Sequence, residues 1–207
     1  MSDYKLYTIA GSCSSGVAVL MEKLGLNYEI VHRKDIENYQ QIVPTNKVPA
    51  IEHKGKIITE GAAIALYLLE NNKNEILPKD PIKRVEFYEW LMFCYATIHP
   101  AYAKVMSARR MMDDAVEGKQ EYIQKLADQV SDIWQIVNKR LKNSKFIFGD
   151  KISHVDYMMT IYTGWGNPAY KINIGDNVRR LANDVSNLPE FKSACKKEEN
   201  NFKIFYS

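Results

Sequence analysis

The sequence is poor in the residues that crosslink chains or hold metals. It has three cysteines, Cys13, Cys94 and Cys195, which lie far apart in a chain of 207 residues. An odd number of widely spaced cysteines argues against a disulfide framework. The four histidines are also scattered, and no cysteine and histidine spacing is typical of a metal site. We therefore expect no metal.

The chain also lacks a long apolar run and a strong charge of either sign. No stretch approaches the roughly 18 apolar residues that span a bilayer, and the N-terminus has no basic segment followed by an apolar one. The formal net charge is only +3, which is too small to indicate nucleic-acid binding. We expect a cytoplasmic protein that binds neither membranes nor nucleic acid.

The first part of the chain alternates strand and helix signals. Strand patterns at 5–9 and 28–32 flank a helical pattern that ends at Gly25. A hairpin signal over 48–59 turns at Gly55, and a second helical pattern covers 60–71. The order β-α-β-α-β-β-α predicts a mixed sheet, because a β-α-β connection pairs its two strands in parallel.

The second part has almost no strand signals. A polar, proline-containing stretch at 77–84 indicates a linker. In the segment 119–142, apolar residues step by three or four with charges between them, as in an amphipathic helix. Ser153 and Asp156 predict a capping box at another helix start. We predict an α/β domain over 1–76, a linker over 77–84 and an all-α helical bundle over 85–207.

The segment AGSCSSG at 10–16 places Cys13 where a strand turns into a helix. A thiol in the first turn of a helix meets unpaired amides and the positive end of the helix dipole. Both favour the thiolate, so we predict a lowered pKa and a nucleophilic Cys13. The alternative is a capped helix in which the cysteine is merely a small residue.

Two further segments have features of a ligand site. A cis bond between Val48 and Pro49 would present the Val48 backbone to a peptide-like ligand, which pairs with it as an added strand. Glu60 and Gly61 open the next helix, whose amides suit a ligand carboxylate while Glu60 suits an ammonium group. The simpler alternative is that Glu60 only complements the helix dipole.

Together these segments resemble a known family. The order GSCSS, VPTNKVPAI and ITEGAAIALYL, followed by a proline-containing linker and a helical domain, resembles a cytosolic glutathione S-transferase. The form GSCS before the first helix is most similar to the bacterial beta class. The resemblance implies a thioredoxin-like N-terminal domain, an all-helical C-terminal domain, a homodimer, and glutathione as co-substrate.

The resemblance also assigns roles to residues. Cys13 matches the beta-class cysteine that approaches the glutathione sulfur or forms a mixed disulfide with it. Val48 matches the residue whose backbone pairs with the cysteinyl part of glutathione, and Pro49 matches a cis-proline. Glu60 and Gly61 match the pair that grips the γ-glutamyl end, although many relatives have serine in place of Gly61.

Other site residues are less sharply assigned. His99 falls where beta-class enzymes place a helix histidine near the thiol; a core or interface histidine is the alternative. Ser12 and Tyr7 are further catalytic candidates, because other classes of the superfamily use serine or tyrosine hydroxyls. We place Lys47, beside Val48, with the glutathione-binding residues.

The binding site for the electrophile is predicted only from residues on one face of a helix. Tyr102 and Met106 share a face and are candidates for an apolar pocket between the domains, although such stripes are more often plain core.

These features predict an enzyme that conjugates glutathione, through its thiolate, to small apolar electrophiles. If Cys13 is itself the nucleophile, the chemistry becomes thiol-disulfide or peroxide reduction. One alternative is a non-catalytic regulator of the same architecture that binds RNA polymerase. Another is a glutathione-dependent isomerase of a small diacid.

Overall fold

The computed structural model describes residues 2–205. Its first part follows the predicted order, and its elements are β1 (Tyr4–Thr8), α1 (Cys13–Lys23), β2 (Tyr28–His32), a 3₁₀ turn (Arg33–Asp35), α2 (Tyr39–Ile42), β3 (Ala50–His53), β4 (Lys56–Thr59) and α3 (Gly61–Asn71). The strands form a sheet in the order β2-β1-β3-β4. β1 and β2 are parallel and the other pairs are antiparallel. The predicted thioredoxin-like fold with a mixed sheet is confirmed.

Residues that accept a left-handed backbone form the turns of this part. Gly25 follows α1 with φ +64°, and Gly55 closes the β3–β4 hairpin with φ +74°. Asn46, in the loop before β3, has φ +58°. Glycine and asparagine adopt this conformation most readily, so these sequence signals fixed their turns locally.

The sheet has two different faces. Leu6 packs in the large core with α1 and α3, whereas its neighbour Tyr7 packs in a small cluster with Tyr39 of α2, Val43 and Ala50. Successive residues of a strand point to opposite faces, so this alternation puts Tyr7 on the α2 side.

The second part is helical, as predicted. Its elements are α4 (Pro81–Met92), a π-helical segment (Phe93–Ile98), α5 (His99–Met111), α6 (Lys119–Arg140), α7 (His154–Thr163), α8 (Asp176–Ser186) and α9 (Pro189–Lys197). α4 begins at Pro81 with Asp80 as its cap, inside the segment 77–84 that the sequence suggests as a linker. The division into 1–76, 77–84 and 85–207 stays a prediction.

The two parts share one core, in which α1 packs on α7 and α9. α7 begins with the predicted capping box. Asp156 accepts from the amide and hydroxyl of Ser153, both at 2.8 Å, and from the amide of Ile147 at 2.8 Å. Along residues 2–205, no helix has the length and hydropathy that crossing a bilayer requires.

Candidate active site

The turn between β1 and α1 is held by serine side chains. Ser12 caps α1, and its hydroxyl accepts from the Ser14 amide at 3.2 Å. Ser15 accepts from the amide of Gly11 at 2.9 Å, where the backbone takes φ +78°. A serine cap satisfies an amide that the helix leaves unpaired. The cap leaves Cys13 as the first residue of α1, beside the remaining amides.

A chain of hydroxyl groups runs from this turn to a buried carboxyl group. The Ser14 hydroxyl lies 2.7 Å from that of Ser12 and 2.6 Å from that of Thr8. Thr8 in turn donates to Glu198, just after α9. Burial raises the pKa of Glu198 above its usual value. The C-terminal end of the helical part is therefore tied to the turn that presents Cys13.

The Cys13 thiol does not have the predicted lowered pKa. It is only 5% exposed, and burial raises its pKa to about 12, with a smaller contribution from Glu198. The amides at the start of α1 and the Ser12 hydroxyl act in the opposite direction, as the sequence argument required. Removal from water disfavours a thiolate more strongly than these groups favour it. In this structure the thiol is protonated and donates to the Val48 carbonyl oxygen at 3.6 Å.

Val48 lies in a loop with the expected backbone geometry. The Val48–Pro49 peptide bond is cis, as the resemblance implies. The hydroxyl of Tyr39 donates to the carbonyl of Lys47 at 3.0 Å, while the Lys47 side chain is exposed. The thiol contact of Cys13 brings this loop against the start of α1, so two of the predicted segments meet.

The third predicted segment, the start of α3, contacts the helical part. Glu60 is exposed and has φ +64°, a conformation that non-glycine residues rarely adopt and that is enriched at functional sites. Gly61 faces the ring of Tyr95, from the π-helical segment. A Cβ at Gly61 would lie 2.2 Å from Tyr95 Cε1. The glycine is therefore required by the close approach of this ring.

His99 lies where the helical part faces the α1 turn. Its ring centroid is 5.0 Å from that of Trp165, and Trp165 Nε1 donates to the carbonyl oxygen of Gly11 at 2.8 Å. Burial lowers the pKa of His99, and the charge of Lys47 lowers it further. His99 thus lies against Trp165, which contacts the first part at Gly11.

Two predicted residues lie elsewhere. Tyr7 is on the α2 face of the sheet, and its hydroxyl donates to Glu52 at 2.9 Å. This contact and burial raise the pKa of Tyr7 to about 12. Tyr102 has no exposed surface and accepts from Trp134 Nε1 at 2.8 Å in the helical core. Met106 is only partly buried, so of the two pocket candidates it is the one within reach of a ligand.

Three residues near the turn were missed by the sequence reasoning. They are Tyr95, His154 and Trp165, from the π-helical segment, α7 and the residues after α7. Tyr95 contacts Gly61 and Trp165 contacts Gly11, both far away in the sequence, and His154 bonds the Tyr95 hydroxyl. Only the unusual histidine of the S-H-V-D capping box was a local signal. The residues 2–205 include no group of three or more His, Cys, Asp or Glu side chains suited to a metal ion.

A large groove lies away from these residues. It has a volume of about 1150 Å³ and runs between the end of α3, the start of α4 and the segment before α7. No predicted site residue lines it. The candidate site is instead the corner between the α1 turn, the Val48 loop and the start of α3, where Cys13 contacts Val48 and Ala50 pairs with Thr59.

Comparison with known proteins identifies the architecture. Residues 2–70 match the family model "Glutathione S-transferase, N-terminal domain", and residues 88–195 match "Glutathione S-transferase, C-terminal domain". The chain is 24% identical over 206 residues to glutathione S-transferase GstA of Escherichia coli O157:H7, covering 94% of this chain and 98% of that protein.

Solved structures agree with this match. A glutathione S-transferase from Xylella fastidiosa superposes with a TM-score of 0.83 at 18% identity, over 95% of this chain and 99% of the other. A glutathione transferase homologue from Sulfitobacter, with bound glutathione, superposes with a TM-score of 0.82 at 18% identity and the same coverage. The family models do not distinguish classes, so the beta-class resemblance stays a prediction. The chain belongs to the glutathione S-transferase family.

Proposed function

We propose that this protein is a glutathione transferase whose glutathione lies across the α1 turn, the Val48 loop and the start of α3. The observation that carries the proposal is the convergence of these three segments: Cys13 contacts Val48, and the pairing of β3 with β4 puts Ala50, just after the Val48 loop, opposite Thr59, just before α3. Full-length relatives named as glutathione transferases support it.

Each part of glutathione has a matching group in this corner. The Val48 backbone, beside Pro49, suits the cysteinyl part, which pairs with it as a short added strand. The amide of Gly61 and the carboxylate of Glu60 suit the carboxylate and ammonium of the γ-glutamyl end. The exposed ammonium of Lys47 suits the glycyl carboxylate. The ligand sulfur then lies beside Cys13 at the start of α1.

The chemistry we propose is conjugation by the glutathione thiolate. The amides at the start of α1 and the Ser12 hydroxyl favour a thiolate in this position. The sulfur forms a bond to the electrophilic carbon, the leaving group departs with the bonding electrons, and the thiol proton passes to water. The protonated, buried Cys13 is a poor nucleophile, which favours conjugation over a mixed-disulfide reaction.

The electrophile is proposed to bind on the helical side of the corner. His99 and Met106 lie seven residues apart on α5 and so share a side of the helix. Together with Trp165 they offer aromatic and thioether surface to a small apolar molecule. Tyr102, fully buried, is left out of this pocket.

We also propose a homodimer. Along α4, the apolar side chains of Ile82, Val85 and Met92 are 78%, 53% and 40% exposed. Spacings of three and seven put them on one face of the helix. An exposed apolar stripe of this kind is typical of a protein interface, and a second copy would cover it. The cytoplasmic location expected from the sequence stays a prediction.

The alternative of a non-catalytic regulator that binds RNA polymerase is not favoured. Its relatives generally lose the residue at the thiol site, whereas Cys13 is present and its surroundings include donors to a sulfur anion. The isomerase alternative required basic residues around the pocket. The basic candidates are Lys34, Lys47, Arg109 and Arg110, and among them Lys47 acts through its charge on His99.

The test is calorimetric titration with glutathione, followed by an absorbance assay of its conjugation to chlorodinitrobenzene. We expect saturable binding below millimolar concentrations and turnover above the uncatalysed rate. Absence of binding at millimolar glutathione would remove the proposal. Binding without turnover toward a panel of electrophiles would instead support the regulator.

A further inference from the structure

The ring edge of Tyr95, with its hydroxyl beside it, occupies the space that a side chain at Gly61 would fill. A Cβ added to Gly61 would lie 2.2 Å from Cε1, 2.8 Å from Cζ and 3.0 Å from the hydroxyl oxygen of Tyr95. The two separations from ring carbons are shorter than side-chain atoms tolerate, so a side chain at Gly61 and the Tyr95 ring cannot both occupy these positions. The helical part thus places a phenol group at the start of α3, where the first part has no side chain.

A buried histidine holds this hydroxyl. Nε2 of His154 lies 3.0 Å from the Tyr95 oxygen. His154 has no exposed surface, and burial lowers its pKa to about 3, so its ring is neutral. Its Nδ1 has no hydrogen-bond partner among the described residues. We assign the ring proton to Nε2, because a buried N–H without an acceptor is costlier than a bare ring nitrogen. His154 therefore donates to Tyr95.

This arrangement leaves the Tyr95 proton with only a weak acceptor. Its other contact is the sulfur of Met158, at 3.3 Å, and a thioether accepts hydrogen bonds poorly. Met158 is itself fixed, because its sulfur fills the place of a Cβ at Gly16, at 2.2 Å. The phenol is therefore held at its oxygen, while its proton meets only this weak acceptor among the described residues.

The helix that Cys13 begins is also close to this group. The Met158 sulfur beside the Tyr95 hydroxyl lies against Gly16, three residues after Cys13 on α1. A ligand that reaches from Cys13 to the start of α3 would pass the phenol. A carboxylate at the α3 end would meet the amide of Gly61 and the hydroxyl of Tyr95 together.

We propose that Tyr95 is a glutathione-binding residue whose hydroxyl donates to the α-carboxylate of the γ-glutamyl end, while His154 orients it. The inference rests on the proposed function. Gly61 has no side chain that could donate a hydrogen bond to this carboxylate. The proposal assigns that hydrogen bond to Tyr95, from the helical part. It also explains why Gly61 and Tyr95 occur together in this chain.

The test compares two ligands on two variants. Glutathione and γ-aminobutyryl-cysteinylglycine differ only in the α-carboxylate. Tyr95→Phe is expected to weaken glutathione binding about tenfold or more, as for a lost hydrogen bond to a charged group, and to leave binding of the analogue unchanged. In steady-state assays, KM for glutathione rises and kcat stays near that of the unaltered protein.

Tyr67→Phe is the matched control. Tyr67 lies on α3 and its hydroxyl bonds His53 Nδ1 at 2.8 Å, so the variant removes a tyrosine–histidine bond of the same kind outside the site. We expect unchanged affinity for both ligands. If the two variants weaken glutathione binding equally, or if Tyr95→Phe weakens both ligands equally, the inference is wrong.

A second pair of variants covers the case in which Tyr95→Phe folds poorly. Tyr95→Ala empties the space beside Gly61, and the double variant Tyr95→Ala, Gly61→Ser returns a hydroxyl to it. The double variant is expected to recover glutathione affinity relative to Tyr95→Ala, whereas no recovery contradicts the inference. If the unaltered protein itself does not bind glutathione, the proposed function has failed, which is distinct from either result.

Discussion

The thiol of Cys13 donates to the carbonyl oxygen of Val48 across 3.6 Å. The two residues belong to the first turn of α1 and to the loop before β3. β1 and β3 are neighbouring antiparallel strands, so the end of β1 and the start of β3 lie together. A ligand that pairs with the Val48 backbone would therefore place its own sulfur beside Cys13. Burial at this contact raises the pKa of the thiol, so the resting thiol is protonated.

The first prediction concerns the reactivity of Cys13. Because burial raises its pKa to about 12, the free protein should react slowly with iodoacetamide at neutral pH, with a pH midpoint above the value of about 8.5 for an ordinary thiol. Peptide mass spectrometry after alkylation at a series of pH values measures this for each cysteine separately.

Glu198→Gln provides the matched perturbation, because the charge of Glu198 contributes to the raised pKa of Cys13. The variant should shift the alkylation midpoint downward. A midpoint well below 8.5 in the unaltered protein would restore the sequence-based prediction of an activated thiolate.

The second prediction distinguishes the roles of Ser12 and Cys13 in conjugation. If the ligand sulfur is the nucleophile, Cys13→Ala keeps kcat/KM for conjugation within tenfold. Ser12→Ala removes a donor to the sulfur anion and should lower kcat/KM more strongly, toward the hundredfold typical of lost transition-state donors. Ser12→Thr, which keeps a hydroxyl and a helix cap, is the control. Abolition of conjugation by Cys13→Ala alone would identify Cys13 as the nucleophile instead.

The third prediction tests whether Tyr102 belongs to the core. Tyr102→Phe removes the acceptor for the buried Trp134 indole, so it should lower the free energy of unfolding by about 1–3 kcal/mol. KM for the electrophile should not change, because Tyr102 has no exposed surface. Urea unfolding and steady-state kinetics measure the two effects. A changed KM for the electrophile with an unchanged free energy of unfolding would show that Tyr102 lines the electrophile pocket.

The fourth prediction concerns acid stability. The pKa of His154 is lowered to about 3 in the folded chain and is about 6.5 in an unfolded one. Below pH 6.5 the unfolded chain binds a proton at this histidine that the folded chain does not bind. The free energy of unfolding therefore decreases as the pH is lowered. Between pH 7 and pH 5 the loss is about 2 kcal/mol.

His154→Gln should remove this loss, as measured by urea unfolding at the two pH values. Asp156 has a pKa raised to about 6 by burial, which stabilises the fold as pH falls toward 5. Because Asp156 is present in both proteins, its contribution cancels in the comparison. Equal losses in both proteins would show that His154 is not the acid-sensitive group.

The features that the sequence predicted well are local ones. The capping box of Ser153 and Asp156 and the turns at Gly25 and Gly55 depend on a few neighbouring residues, so their patterns carry most of the information. The three spaced motifs around Cys13, Val48 and Glu60 together predicted the family and hence the fold, which no single motif specifies.

The features that the sequence missed depend on packing between distant segments. The first-turn position of Cys13 is local, but its burial is a property of the whole fold, and burial decides its pKa. Residues four apart on a helix, such as Tyr102 and Met106, give the same sequence pattern whether they face a core or a pocket. The contact between Gly61 and Tyr95 joins two domains, and no local pattern marks it.

The central claim is that glutathione binds in the corner where α1, the Val48 loop and α3 meet. A crystal structure of the protein soaked with glutathione tests it directly. The account predicts that the ligand sulfur lies beside Cys13, that the cysteinyl backbone pairs with Val48, and that the γ-glutamyl end lies at Glu60 and Gly61. Glutathione bound instead in the groove beside the start of α4, with this corner empty, would contradict it.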